Sequence, residues 1–298
     1  MTDWTDFRPT RVQVPGVEIA VWSAGAGPPV LLLHGYPQTH SMWHRVAPAL
    51  AQRFTVVAPD LRGYGASGKP PGSATHIEYA KRTMAADQVA VMDALGFDRF
   101  AVVGHDRGGR VGHRLALDHA DRVNRLAVLD IVPTLEVFRT TDERLARAYF
   151  HWFFLAQPYD LPERLIGADP EYFLRFALRS WSADPDCFDA AVVAEYVTAF
   201  RDPATVHASC EDYRAAAGVD LEHDEADLDR PLRCPVLVLW GARGFVARRY
   251  DVLECWGRRA ERVSGAALDC GHFVPEEAPE RTAAALEEFL ADMPGSGR

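Results

Sequence analysis

The sequence predicts an α/β protein with a mostly parallel central sheet, helices on both faces and an inserted helical cap. Three observations predict it. Short apolar runs alternate with helical patterns over most of the 298 residues, which is typical of buried parallel strands joined by helices. One long segment is rich in aromatic residues and helix formers, with no pattern of a buried strand. The length suits one large α/β domain with an insertion, or two modest domains.

The predicted core elements are one hairpin, six further strands and three helices. Pro15-Gly16 breaks the first apolar pattern and predicts an antiparallel hairpin over Arg11–Gly25. Buried strands are expected at Val30–Gly35, Phe54–Asp60, Phe100–Asp106, Arg125–Asp130 and Val236–Trp240, with a weaker strand near Arg262–Leu268. Apolar residues at helical spacing predict helices over Ile77–Leu95, Gly108–His119 and Ala278–Leu290.

The cap is predicted at residues 135–226, and residues 1–134 and 227–298 are predicted to form the core. The segments AYFHWFFLAQP, EYFLRFALRSW and AEYVTAF carry its aromatic residues. A helical insertion between two core strands would cover the carboxyl ends of the sheet, where open α/β sheets bind ligands. The acidic run Leu221–Asp229 is expected to be a solvated connection back to the core.

Composition and charge exclude several classes of function. The net charge of -10 and the pI near 5.6 argue against nucleic acid or an anionic membrane as partner. No apolar run approaches the roughly 20 residues of a membrane-spanning helix, and the start of the chain lacks a signal-peptide pattern. Scattered cysteines without a CxxC pair argue against disulfides and zinc and favour a reducing cytoplasm. They are Cys187, Cys210, Cys234, Cys255 and Cys270.

The strongest chemical signal is a carboxylate in a sharp strand–helix turn. The buried strand FAVVGHD runs into Gly104-His105-Asp106-Arg107-Gly108, and a helix follows. Glycines in this G-x-Nu-x-G pattern relieve crowding around an exposed nucleophile. Asp106 at the centre excludes a serine esterase and favours attack on a carbon electrophile through an ester intermediate. The alternative is an ordinary tight turn in which Asp106 is the helix N-cap.

This pattern resembles the nucleophile elbow of the α/β-hydrolase fold, whose members order their residues as nucleophile, acid and histidine. His272 comes late, just before the last predicted helix, and fits the general base. The acid often follows the strand that here reads VLVLWG, but residues 241–245 contain no carboxylate. Asp130, at the end of the strand after the nucleophile, would orient His272 instead. The alternatives are a structural histidine and an ordinary strand-end carboxylate.

Backbone amides and two arginines complete the predicted site. His34-Gly35-Tyr36-Pro37 follows a core strand, so the amides of Tyr36 and Arg107 would bind the oxyanion formed during ester hydrolysis. Arg107 and Arg110 are three residues apart and can face one side of the helix. Their planar guanidinium groups would keep Asp106 ionised and suit bidentate binding of a substrate carboxylate. The alternative is a pair of surface salt bridges.

The sequence resembles the fluoroacetate (haloacetate) dehalogenases of the α/β-hydrolase fold. The matching stretches LLLHGYPQTHSMWHRVAP, GHDRGGRV, AVLDIVPT, HWFFLAQP, CEDYRA and GHFVPEEAPE run from about Val30 to Pro279 and cover core and cap. The resemblance implies that Asp106 displaces halide from a short haloacid, that Arg107 and Arg110 hold its carboxylate, and that no cofactor takes part. It assigns hydrolysis of the ester to His272 and Asp130, and it suggests a homodimer.

The resemblance also implies roles for aromatic residues. In the cap, His151, Trp152 and Tyr213 would receive the leaving halide. Imidazole, indole N–H and phenol O–H are donors that can replace the water around a small, strongly hydrated fluoride. The alternative is that these side chains only pack the cap, which applies equally to Trp181, expected at the pocket. Tyr36 stands where the relatives have phenylalanine, and its hydroxyl would contact either substrate or solvent.

Two further patterns are set aside. Gly63–Pro70 matches GxGxxG, but Pro70-Pro71-Gly72 follows at once and prevents the helix that would bind phosphate. His40 and His44 lack the glutamate of a zincin and a third ligand, so no metal is expected. An epoxide hydrolase is the related alternative function, against which Arg107 argues. A non-catalytic ligand receptor on the same fold is the other, and the complete set Asp106, Asp130 and His272 argues against it.

Overall fold

A computed structural model describes residues 2–291 and 293. Its strands are β1 (Arg8–Val14), β2 (Val17–Ala24), β3 (Pro29–Leu33), β4 (Thr55–Pro59), β5 (Phe100–His105), β6 (Val123–Leu129), β7 (Val236–Gly241) and β8 (Val263–Leu268). They form an eight-stranded sheet in the order β1-β2-β4-β3-β5-β6-β7-β8. The β1–β2 and β2–β4 pairs are antiparallel, and all later neighbours are parallel.

The core helices are α1 (Ala47–Leu50), α2 (Lys81–Ala94) and α3 (Asp106–Asp118), followed after the cap by α12 (Phe245–Arg249), α13 (Val252–Gly257), α14 (Val274–Glu277) and α15 (Pro279–Leu290). Helices α2 and α3 pack against each other, and α1 packs against α15. Parallel crossovers are right-handed. The β3–α1–β4 crossover steps in the opposite direction along the sheet to β5–α3–β6, so α1 and α3 cover opposite faces.

Between β6 and β7 the described chain is helical. The helices there are α4 (Thr134–Arg139), α5 (Glu143–Ala148), α6 (Phe150–Leu155), α7 (Leu161–Ala168), α8 (Pro170–Trp181), α9 (Ala190–Phe200), α10 (Pro203–Ala216) and α11 (Val219–Ala226). The predicted fold class, with its mostly parallel sheet and helical insertion, is confirmed. The division into core and cap at residues 135 and 226 stays a prediction. None of the described helices is long and apolar enough to cross a membrane.

Some predicted bounds differ from the structure. The strand expected at Val30–Gly35 ends at Leu33, because the chain leaves the sheet at His34 to form the loop beside the site. The helix expected from Ile77 starts as a 3₁₀ turn and becomes α-helical only at Lys81. The prediction of a solvated loop from Leu221 was wrong as far as Ala226, which ends α11.

The start of α11 explains that difference. Asp220 and Glu222 occupy its first turn, where negative charge is stabilised by the helix dipole. The side chain of Asp220 also accepts a hydrogen bond from the backbone N–H of Lys81 at 2.8 Å, and this contact joins the acidic segment to core helix α2. The first part of the acidic run therefore belongs to helix α11, and only the last residues of the run form the return loop.

Candidate active site

The turn between β5 and α3 has the geometry of a nucleophile elbow. Asp106 has a φ of 44°, a backbone conformation that costs energy for a residue with a side chain. A Cβ on Gly104 would lie 2.4 Å from the carbonyl oxygen of Gly108, and one on Gly108 would lie 2.4 Å from that of His34. Asp106 is the first residue of α3, whose N-cap is His105, so the expectation in the alternative that Asp106 is the N-cap was wrong.

The Asp106 carboxylate is buried and held by one backbone amide. The Oδ2 atom accepts a hydrogen bond from the N–H of Tyr36 at 3.0 Å. Only 6% of the surface of Asp106 is exposed. Burial alone would raise the pKa of Asp106. The charges of His272, Arg107 and Arg110 outweigh burial and hold this pKa below its usual range. The carboxylate is therefore ionised at neutral pH, as a nucleophile must be.

His272 and Asp130 form a hydrogen-bonded pair next to the elbow. The Nδ1 of His272 lies 2.7 Å from Oδ2 of Asp130; since a carboxylate only accepts, Nδ1 carries the proton and Nε2 is left as the acceptor. Burial lowers the pKa of His272, but the hydrogen bond and charge of Asp130 outweigh it and raise the pKa overall. Asp130 has a φ of 50°, and its Oδ1 accepts from the N–H of Gly241 at 3.0 Å.

The loop after β7 explains how the acid can sit on β6. Strands β6 and β7 are paired neighbours, so their carboxyl ends lie side by side. A Cβ on Gly244 would lie 3.5 Å from Oδ1 of Asp130, which shows that this loop packs directly against the carboxylate. An acid from either strand end therefore reaches the same place beside His272.

The two arginines occupy different positions. Arg110 lines the cavity, and its Nη1 donates to the carbonyl oxygen of Val132 and to Oγ1 of Thr134, both at 3.0 Å. Its Nε is buried and has no hydrogen-bond partner among the described residues. Arg107 is fully buried behind the cavity wall. Its Nε and Nη2 donate to the carboxylate of Asp212, so the expectation that Arg107 offers its fork to a substrate was wrong, and only Nη1 is left.

Aromatic side chains of the cap surround these arginines. The Arg107 guanidinium lies 4.2 Å from the ring centre of Tyr213, and that of Arg110 lies 4.5 Å from the ring of Trp152. His151 is 5.8 Å from Tyr213 between ring centres. Burial lowers the pKa of His151 to about 3, so its imidazole is neutral. The hydroxyl of Tyr213 and Nδ1 of His151 are buried without a partner in the described chain.

A cavity of about 450 Å³ brings most of the predicted residues together. The predicted residues on its wall are Asp106, Arg110, Asp130, His151, Trp152, Trp181 and His272. Arg107, Tyr213 and Tyr36 lie behind that wall and are buried. The outer wall of the cavity was not predicted from the sequence; Tyr149, Arg243, Phe245 and Arg248 belong to it.

The patterns set aside have structural roles. His40 lies 2.9 Å from Asp60 through Nδ1 and stacks on Trp22. No group of histidine, cysteine, aspartate or glutamate side chains in the described residues could hold a metal ion. The stretch Gly63–Pro70 is a loop, and the next α-helix begins only at Lys81.

Comparison with known proteins places this geometry in a family. The family model described as "alpha/beta hydrolase fold" matches residues 28–279. The chain belongs to the α/β-hydrolase family. This hydrolase is 49% identical to a fluoroacetate dehalogenase from Burkholderia sp over 287 residues, covering 96% of this chain and 94% of that protein. It is 36% identical to a soluble epoxide hydrolase from Corynebacterium sp. (strain C12), covering 97% and 99% of the two chains.

A solved structure has the same overall shape. The crystal structure of a protein from Nostoc sp PCC 7120 matches this hydrolase with a TM-score of 0.96 and 57% sequence identity, covering 97% of this chain and 100% of that one. Agreement over the whole length includes the helical insertion, so the cap belongs to the shared fold.

Proposed function

We propose that this hydrolase cleaves the carbon–halogen bond of a short 2-haloacid, with fluoroacetate as the principal substrate, to give glycolate and halide. The observation that carries the proposal is an ionised, buried Asp106 that shares one cavity with the unpartnered Nε of Arg110 and Nδ1 of His151. A buried donor without a partner costs about 1–3 kcal/mol, and an anionic substrate that accepts these hydrogen bonds recovers it. The similarity to a fluoroacetate dehalogenase supports the same substrate class.

The first step is displacement at the α-carbon. The Tyr36 amide holds Oδ2 of Asp106, which leaves Oδ1 to attack. A bond forms between Oδ1 and the α-carbon while the carbon–halogen bond breaks, and the halide leaves with the electron pair. Arg110, through its free Nε, and Arg107, through Nη1, would hold the substrate carboxylate and set the line of attack.

The second step is hydrolysis of the ester on Asp106. The Nε2 of His272 takes a proton from water, and the hydroxide attacks the carboxyl carbon of Asp106. Oδ2 then carries the negative charge, already within hydrogen-bond reach of the Tyr36 amide. Collapse breaks the bond between the carboxyl carbon and Oδ1, and glycolate leaves with that oxygen. Protonated His272 gives its proton to Oδ1 as this bond breaks, so glycolate leaves with a hydroxyl group. Asp106 keeps the oxygen from water, and the other proton of that water passes to solvent.

The cap donors would stabilise the leaving halide. Each of the side chains of His151, Trp152 and Tyr213 carries an N–H or O–H group. The ring centres of His151 and Trp152 lie 5.8 and 6.1 Å from that of Tyr213. Fluoride is a poor leaving group unless several donors replace its water. The unpartnered hydroxyl of Tyr213 and the neutral His151 are suited to that task.

Epoxide hydrolysis is the second candidate, favoured by Tyr149, whose residue lines the cavity and could protonate an epoxide oxygen. The same Asp106 ester and His272 step would complete that reaction. A neutral epoxide would leave the unpartnered Nη1 of Arg107 and Nε of Arg110 without an anionic acceptor, and this favours the haloacid.

Halide release tests the proposal directly. Purified enzyme is given fluoroacetate, chloroacetate or a simple terminal epoxide, and halide is followed with ion-selective electrodes and diol by chromatography, with Asp106→Asn as the blank. Fluoride and chloride release that vanishes in Asp106→Asn is expected. Diol formation without halide would overturn the haloacid assignment, and a single turnover in ¹⁸O water that leaves Asp106 unlabelled would overturn the ester mechanism.

A further inference from the structure

A buried ion cluster lies behind the active site and involves Asp212 of cap helix α10. Its carboxylate accepts from Nε and Nη2 of Arg107 at 3.0 and 2.7 Å, from the hydroxyl of Tyr64 at 2.7 Å, and from Nζ of Lys81. Asp212 and Arg107 are both 0% exposed. Lys81 also lies 3.6 Å from Asp220, so the cluster contains compensating charges of both signs.

This cluster leaves the guanidinium of Arg107 little freedom. One edge is bound by both carboxylate oxygens of Asp212, and Nη2 also donates to the backbone carbonyl of Asp212 at 3.1 Å. One face lies 4.2 Å from the ring centre of Tyr213, the next residue of the same helix. Only Nη1 is left, buried and without a partner in the described residues. Side chains on one turn of α10 therefore determine where the free donor points.

We propose that Asp212 is a positioning residue for the binding of an anionic substrate: it orients Arg107 so that Nη1 meets the substrate carboxylate. The inference rests on the proposed function. It extends the site to a residue that does not contact substrate, and it makes carboxylate recognition depend on the cap, since Asp212 comes from α10 and Arg107 from core helix α3. Arginine without such a partner samples many rotamers and loses that order.

The positioning role and a pure charge effect predict opposite results for Asp212→Asn. Loss of a negative charge beside Arg107 makes the site more positive, so a charge effect alone would tighten anion binding. Asparagine keeps one acceptor oxygen and replaces the other with an NH2 donor, so one of the two guanidinium contacts is lost and Arg107 is held less firmly; the positioning role therefore predicts weaker binding. We expect the Kd of glycolate, measured by calorimetry, to rise at least about tenfold, the loss of one strong hydrogen bond. The neutral analogue glycolamide should change by less than about twofold.

A second variant keeps the charge and moves it. Asp212→Glu inserts one methylene and displaces the carboxylate by about 1.5 Å. Charge alone predicts unchanged glycolate binding, whereas positioning predicts weakening of about fivefold or more. If one of these two variants does not fold, the glycolate Kd of the other still distinguishes positioning from a charge effect. For chloroacetate, both variants should raise KM by a larger factor than they lower kcat, which a general loss of stability would not produce.

Asp227→Asn is the matched control. Asp227 accepts from Nη2 of Arg114 at 2.7 Å, so it also pairs with a buried arginine of α3, but neither residue lines the active-site cavity. This variant should lower Tm and leave the glycolate Kd unchanged. Tighter or unchanged glycolate binding in Asp212→Asn would overturn the proposal. Glycolate binding that depends on Asp212 in an enzyme that releases no halide would instead keep the positioning role and reject the proposed reaction.

Discussion

The hydroxyl of Tyr213 offers a direct test of the proposal that the cap stabilises departing fluoride. It is fully buried, unpartnered among the described residues, and its ring is 5.8 Å from His151 and 6.1 Å from Trp152. Tyr213→Phe removes the hydroxyl and keeps the ring on which Arg107 stacks. If the hydroxyl donates to the departing fluoride, the variant loses one hydrogen bond to a charged group, worth about 1.5–3 kcal/mol.

That energy corresponds to a fall of roughly 10- to 150-fold in kcat for fluoroacetate. Chloride is larger and accepts hydrogen bonds more weakly, so dechlorination should fall by less than about tenfold. The assay compares initial fluoride and chloride release from the two haloacetates under identical conditions. Tyr79→Phe is the control, because Tyr79 is another buried phenol, packed against Ala208 and Ala215 of α10, and donates to the carbonyl of Pro70 outside the site. Equal losses for both halides in Tyr213→Phe would refute the reasoning.

Three further predictions concern pH and assembly. Asp130 raises the pKa of His272 against the lowering effect of burial; because the base must be neutral, turnover should rise with pH, and Asp130→Asn should move that rise to lower pH in a pH–rate profile. Burial raises the pKa of Glu276 from 4.5 to about 8. The unfolded chain then loses this proton first, so the free energy of unfolding should fall between these pH values by up to about 1.4 kcal/mol per unit. Urea titrations of Glu276→Gln should lack that fall. The predicted homodimer is expected to use exposed apolar side chains of the cap, among them Tyr172 and Phe176, and Phe176→Glu should shift light scattering towards the monomer mass.

The residues that the sequence predicted best belong to local patterns. Asp106 was recognisable because two glycines and a buried strand surround it within nine residues of the chain. His272 and Asp130 followed from chain order and from the lack of a carboxylate in residues 241–245. These three residues could be predicted because each depends only on a few neighbouring residues or on the order of the strands. The parallel sheet turned these separated segments into one site, because its strands end at the same edge.

Asp212 shows what such reasoning misses. Its four donors come from Tyr64, Lys81 and Arg107, on a loop and two core helices, and nothing in the surrounding sequence indicates that they meet. Only the packing of α10 on the core brings them together. The guanidinium fork of Arg107 was assigned to the substrate for the same reason, since its true partner lies 105 residues away. The positions of Tyr149 and Arg248 on the outer wall of the cavity also depend on how the cap lies over the sheet.

The proposed halide donors of the cap are neutral groups, and the charges of the site give a physical reason for this. The attacking Asp106 loses its charge when the ester forms, and the halide takes that charge into the cap. A cationic donor would stabilise the halide strongly and slow its departure, and near Arg107 and Arg110 a further buried cation would be costly. Burial keeps His151 neutral at any pH above about 3. The imidazole can therefore donate to the halide during bond cleavage and still release it, so halide release should not depend on the titration of His151 near neutral pH.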